Sequence, residues 1–232
     1  MNERLFLTMC VIISSMTLSA CRILSEPERI SCDELLAVSL RHYIGQLLTP
    51  SRFIAAVENA YGVAQQKVTL QTSEESYWKV SWTHKGLHYS TWTKSDGTIG
   101  PIVIQHGKPR VATVGQFSDC VGSEPGWYSA YYGMQAPTPG LTYHLALYFP
   151  EQGYATTSTD YTERDEPTPD LTADLSLDDV IINTPTSLFD LYEQRWGFSI
   201  EAARPAWKPT PWPGDWKAVE WVEDREAESD SH

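Results

Sequence analysis

Positive charge is scarce in this 232-residue chain: 17 Lys and Arg stand against 30 Asp and Glu, a formal net charge of −13. A surface that grips a phosphate backbone needs the opposite balance, which argues against nucleic acid as a partner. Long apolar runs are also missing. None after the first 21 residues reaches the ~18 that a membrane-spanning helix needs. Cysteine is sparse, and no C-x-x-C pair occurs, so thiolates are too few for a structural zinc site. The motifs G-x-S-x-G, H-E-x-x-H, G-x-x-x-x-G-K-[ST] and G-x-G-x-x-G are absent, which removes several common hydrolase, metalloprotease and nucleotide-binding classes. Triads or carboxylate pairs built from distant positions stay open.

What is present begins with the leader. Arg4 opens a thin positive segment, and Leu5 to Leu18 form an apolar stretch of 14 residues. As a helix it spans ~21 Å, short of a ~30 Å hydrocarbon core, so it reads as a secretory segment rather than a permanent membrane helix. It ends in Leu18-Ser19-Ala20-Cys21, which resembles the lipobox of bacterial lipoprotein signal peptides. The resemblance covers the leader only. It implies cleavage before Cys21, a diacylglyceride on the Cys21 sulfur, and an acyl chain such as palmitate on the new amino group. Arg22 is not the aspartate associated with inner-membrane retention in two-membrane cells. Residues 1–20 are then signal peptide and 21–30 a tether. The mature protein sits in the cell envelope, anchored by lipid on the exterior or periplasmic side. Two or three acyl chains, at ~0.8 kcal/mol per buried methylene, hold a protein far more firmly than one. An ordinary cleaved signal with a chance cysteine is the alternative.

Of the four cysteines, Cys10 leaves with the leader and Cys21 carries lipid, which leaves Cys32 and Cys120. In an oxidising exterior one pairing is open to them. A Cys32–Cys120 disulfide is expected, with two buried free thiols as the alternative.

Residues 31–222 read as one α+β domain, an antiparallel meander with N-terminal helices packed on one face. Ser31 and Glu34 have capping-box spacing, with Ile30 and Leu35 placed as a hydrophobic staple. Leu36, Leu40, Tyr43, Ile44 and Leu47 extend the helix to about 47. Thr49-Pro50 starts a second helix, whose stripe Phe53, Ile54, Val57, Ala60 and Tyr61 stops at Gly62. The period then falls to two, weakly from Lys67 to Thr72. Lys85-Gly86 and Asp96-Gly97 predict a meander over 77–84, 87–95 and 98–105. Leu141 to Phe149 is the cleanest strand, Tyr154 to Thr159 returns beside it, and Val180 to Ile182 is a short one. Residues 107–140 show no clear period. Residues 160–179 carry eight acids against Arg164 and read as a solvated insert. A helix starts at Ser187 and stops at Gly197. A Pro/Trp-rich run, Pro205 to Trp216, leads to a last strand at 216–221 and an acidic, frayed tail over 223–232.

Chemistry is harder to place. His84 and His88 flank a two-residue turn and so face opposite sides of the sheet, which disfavours a shared metal. His106 and His144 read as structural. The acids of 160–179 lack the glycine of an EF-hand loop. Neither a metal nor a cofactor is expected. Five of the nine tryptophans lie in the last 37 residues, either stacking a ligand or forming a stiff strap over an apolar sheet edge. Trp92, Trp207 and Trp212 are the candidates for an aromatic contact surface. The leading functional expectation is a lipid-anchored exterior domain with a non-catalytic binding or envelope-assembly role, its partner an envelope protein or a glycan. The alternatives are an envelope-polymer hydrolase with paired carboxylates, or a glycan- or solute-binding lipoprotein with an aromatic groove. Replacing Cys21 by Ala is expected to release the protein from membranes or leave uncleaved precursor. Unchanged lipid labelling of Cys21→Ala would reject the anchor.

Overall fold

The computed structural model describes residues 30–62, 66–71, 76–94, 97–106, 112–134, 140–163 and 170–224. The leader, Cys21 and the tether up to residue 29 lie outside them, as do 164–169 of the acidic insert and the tail from 225. Two short helices, α1 (Cys32–Leu35) and α2 (Val38–Arg41), precede α3 (Pro50–Tyr61). Four strands follow: β1 (Gln66–Gln71), β2 (Ser76–His84), β3 (Leu87–Lys94) and β4 (Ile99–His106). A second helix-then-meander unit comprises α4 (Val114–Val121), β5 (Trp127–Met134), β6 (Leu141–Phe149), β7 (Tyr154–Thr162) and β8 (Asp179–Ile182). The chain ends with α5 (Leu188–Trp196) and the two-residue strands β9 (Thr210–Pro211) and β10 (Val222–Glu223).

The fold is the expected α+β arrangement, with antiparallel meanders and N-terminal helices packed on one sheet face. Both meanders belong to a single sheet of order β1-β2-β3-β4-β8-β7-β6-β5-β10. Their fourth strands pair antiparallel, with Ile102, Val103, Ile104 and Gln105 opposite Ile182, Ile181, Val180 and Asp179. Alternation places Val80, Trp82, Leu87, Tyr89, Ile102, Ile104, Leu145, Leu147, Val180 and Ile182 on one face, buried under α1 to α4 with Leu35, Leu40, Phe53 and Phe117. The opposite face carries a smaller core under α5, formed by Ala146, Tyr148, Ala155, Ile181, Leu191 and Tyr192.

Several elements follow their local signals. Ser31 and Glu34 form the capping box. Lys85 and Gly86 both have positive φ, 48° and 77°, as a two-residue turn of the hairpin-favoring hand requires. Gly62 and Gly197 end α3 and α5 in the left-handed conformation. Cys32 and Cys120 are joined, with Cα atoms 5.1 Å apart, which ties α1 to α4 across the two units. Arg41 makes a second cross-link. It donates to the carbonyls of Asn183 (2.9 Å) and Gln152 and to the Tyr154 hydroxyl (2.7 Å), lying over the Tyr154 ring.

Other expectations need correction. The single helix over 32–47 breaks at Ala37, which takes φ 44° and is fully buried. The break lets Leu35, Leu36 and Leu40 all reach the core, and the Tyr89 hydroxyl donates to the Glu34 carbonyl beside it (3.0 Å). Ala60 is exposed, and Ala56 packs on the core instead. The unpatterned stretch 107–140 contains α4, opened by a Thr113–Gln116 capping box, and β5. The described end of the acidic insert keeps Asp170 and Asp174 exposed but docks through its backbone and Leu177. Leu177 is buried, and the carbonyls of Leu175 and Ala173 accept from the free N–H groups of Val114 and Gly115 at the start of α4. A Cβ at Gly115 would lie 2.7 Å from that of Ala173, so only glycine admits this contact. The strand expected at 216–221 is a 3-10 turn at Trp216–Ala218 followed by β10. Glu223 and Asp224 are bound into the fold, and the domain runs through Asp224.

Glu34 gathers the first unit. Its carboxylate accepts from the Ser31 N–H (2.8 Å), His84 Nε2 (2.8 Å) and Lys85 Nζ (3.0 Å), with its side chain only 14 % exposed. Burial opposes its charge, but the hydrogen bonds from Ser31, Lys85 and His84 outweigh burial and hold its pKa at about 2, against an ordinary 4.5. A lowered folded pKa stabilises the fold above pH 4.5, and that contribution is lost as pH falls toward 2. Acid titration of unfolding free energy should therefore show a loss on the order of 3 kcal/mol over this window. Glu34→Gln should remove that component and leave the protein weaker at neutral pH; an unchanged acid profile would refute the assignment.

Candidate functional site

The two halves of the sheet differ in how their second face is covered. Over β5 to β8, α5 and the C-terminal strap close it. Trp196 Nε1 donates to the Tyr148 hydroxyl (2.9 Å), and Trp207 stacks on Tyr131 and Trp196. Trp207 Nε1 donates to Asp224 (2.8 Å), which Arg204 also meets at 3.2 Å. Over β2 to β4 none of these elements reaches. That face carries Lys79, Ser81 and Thr83 from β2, His88, Ser90 and Trp92 from β3, and Gln105 from β4. Together with backbone around Trp82 and Tyr89, most of them line a shallow depression of about 530 Å3.

Register aligns these groups across strands. Thr83 opposes His88, His88 opposes Gln105, Gln105 opposes Asp179, and Asp179 opposes Thr157. The result is a transverse polar row that ends at the rim of α5. There Asp179 accepts from Thr157 (2.6 Å) and pairs with Arg195 at 3.2 Å. Burial raises the Asp179 pKa, and the Arg195 guanidinium works against that rise. At the other end Thr83 Oγ1 lies 2.9 Å from His88 Nδ1. A hydroxyl beside an imidazole is the start of a nucleophile–base pair, but among the described residues no carboxylate meets His88 to orient it. Trp92 stands 36 % exposed at a β-bulge, with Lys79 Nζ 5.5 Å from its ring centre. The extra residue lies in β4, between Ile99 and Ile102. A Cβ at Gly100 would come to 3.0 Å from the Trp92 carbonyl, so glycine there fits the bulge.

The expected aromatic surface is divided by the fold. Trp92 belongs to the uncovered face. Trp207 is packed into the strap on the far half of that same side, and Trp212 lies against Tyr128 and Trp216 on the helix side. His84 faces Glu34 while His88 faces the polar row, as the turn spacing implies. His106 is half-buried, with both ring nitrogens enclosed and unpartnered, and burial lowers its pKa to about 4. His144 packs on Tyr131, with burial first and Arg195 second lowering its pKa. Asp160, Asp170 and Asp174 line a smaller depression of about 270 Å3, one place where carboxylates come together. No group of three His, Cys, Asp or Glu suited to a metal ion occurs among the described residues. The transverse row had no sequence signal of its own, because β8 is short and its partner strand lies over 70 residues earlier in the chain.

The sequence matches no protein family and no curated protein, and the fold matches no solved structure. The two tryptophans should separate on substitution. Trp207→Ala removes a stacked ring and the Asp224 hydrogen bond and should cost ~2–4 kcal/mol in urea unfolding. Trp92→Ala should stay within ~1 kcal/mol of wild type, and an equal loss at both sites would contradict the division.

Proposed function

We propose that this chain is a lipid-anchored exterior domain with a non-catalytic role in binding or envelope assembly, and that the uncovered face of β2 to β4 is its contact surface. Among the described residues no element covers the β2 to β4 half of this face, while α5 and the strap close the other half, and that contrast carries this reading. The surface is polar rather than greasy: three hydroxyls, an amide, an imidazole and a lysine, with one exposed indole at its margin. In a chain of net charge −13, the described lining of this depression has no acidic residue. An acidic partner surface would meet Lys79 and His88 without opposing carboxylates. The lipobox-like sequence ending at Cys21 and the Cys32–Cys120 bridge support an oxidising compartment outside the cytosol. Among the described residues no helix is long and apolar enough to cross a membrane, so the acyl chains supply the attachment in this reading.

The reading is tested by placing a photo-crosslinking residue at Thr83 or Gln105 in the native host, with exposed Arg52 on α3 as the control position. Discrete adducts are expected from the first two sites and not from the control. Adducts of equal yield at all three, or none at the sheet face, would remove this surface from consideration.

A further inference from the structure

The geometry points to a second binding site, for a neutral sugar, in the groove between the C-terminal end of α4 and the strap. Its walls are Ser118, Ser123, Trp212 and Trp216, with Asp119 and Glu124 at its margin, and its volume is about 440 Å3. That size is within the range of small-ligand pockets.

Polar atoms without partners concentrate here. Among the described residues nine buried side-chain polar atoms make no hydrogen bond, and three of them belong to residues that line this groove: Ser118 Oγ, Ser123 Oγ and Trp212 Nε1. Buried polar groups are ordinarily paired, so three in one groove need a partner the chain itself does not provide. Their chemistry narrows what that partner is. An indole N–H only donates, so the ligand must offer an acceptor. The exposed Asp119 and Glu124 carboxylates only accept, so it must also offer donors and carry no negative charge. An ammonium ion satisfies the acids but leaves Trp212 unserved. A sugar ring carries hydroxyls that do both, and its C–H face suits the indoles of Trp212 and Trp216, which meet edge to face at 5.0 Å.

Access follows from the strap's attachment. The three atoms are closed to solvent, so a ligand reaches them when the serine hydroxyls rotate and the strap shifts outward. Here the strap is held by the two-residue β9 pairing and by the Trp212 backbone N–H on the Gly126 carbonyl (3.0 Å). Gly214, two residues after Trp212 and with φ 86°, supplies a turn that other residues resist. The site is independent of the sheet face, from which it is separated by the sheet itself.

Calorimetric titration of the full-length protein with chitotriose, maltotriose, a galacturonic acid trimer and cadaverine tests the assignment. A neutral trisaccharide should bind saturably, and the acidic trimer should bind at least about tenfold more weakly because of Asp119 and Glu124. Trp212→Phe, which keeps a ring and removes the N–H, and the double substitution Ser118→Ala with Ser123→Ala should each weaken binding about tenfold. Both changes are conservative enough to check by circular dichroism that the fold survives. Trp92→Ala should leave the affinity unchanged. Four results overturn the assignment: no neutral sugar binding, cadaverine binding in its place, indifference to Trp212→Phe, or loss of binding in Trp92→Ala.

Discussion

The pairing of β4 with β8 makes one molecule of two units. Each unit alone is a helix or helices followed by a four-strand meander, and each would present a bare edge at its fourth strand. Joining those edges satisfies both ladders and brings Ile102, Ile104, Val180 and Ile182, all fully buried, into one continuous core layer. The contact is only four residues long on the β8 side, and two links reinforce it at a distance. The Cys32–Cys120 bridge joins the helices, and Arg41 holds the β6–β7 turn and Asn183 beyond β8. In the chain-entropy view, a loop of 88 residues makes such a bridge worth ~4–5 kcal/mol as an upper value.

The same seam decides how the second face of the sheet is covered. Because the second face is closed over β5 to β8 and bare over β2 to β4, the polar row runs from open sheet into the shelter of α5. Along it the environment changes from exposed Thr83 and His88 to the half-buried Asp179–Arg195 pair. A partner meeting this face, as proposed, would find a rigid ladder beneath it, so contact would cost the chain little conformational freedom. The strap has a second consequence. It covers the β5 edge with short pairings and tryptophan side chains rather than a full strand, and it leaves a groove beside α4 in which polar atoms remain unpaired.

Much of the local structure was legible along the chain. The Ser31–Glu34 box, the Thr49-Pro50 start, the Lys85-Gly86 turn, the alternation of Leu141 to Phe149 and the Gly197 stop are interactions between residues within four or five positions. Where tertiary demands competed, local reading failed. Ala37 leaves the helical conformation so that neighbouring leucines reach the core, and the Thr113–Gln116 box escaped notice among glycines, prolines and aromatics without a period. The acidic residues of 170–178 suggested solvent exposure, yet backbone carbonyls from that segment cap α4. Composition describes side chains and says nothing of where carbonyls point.

By itself, the sequence determined several of the helix caps, the turns, the two-residue period of the strands and Cys32 with Cys120 as a candidate pair. Each depends on short-range sterics, hydrogen bonding or simple counting. Only the tertiary structure decided that β4 meets β8, that one half of a sheet face stays open, and that Trp92, Trp207 and Trp212 take separate positions. Those outcomes depend on register between strands far apart in the chain and on which apolar surfaces find each other, and neither is encoded in any local pattern.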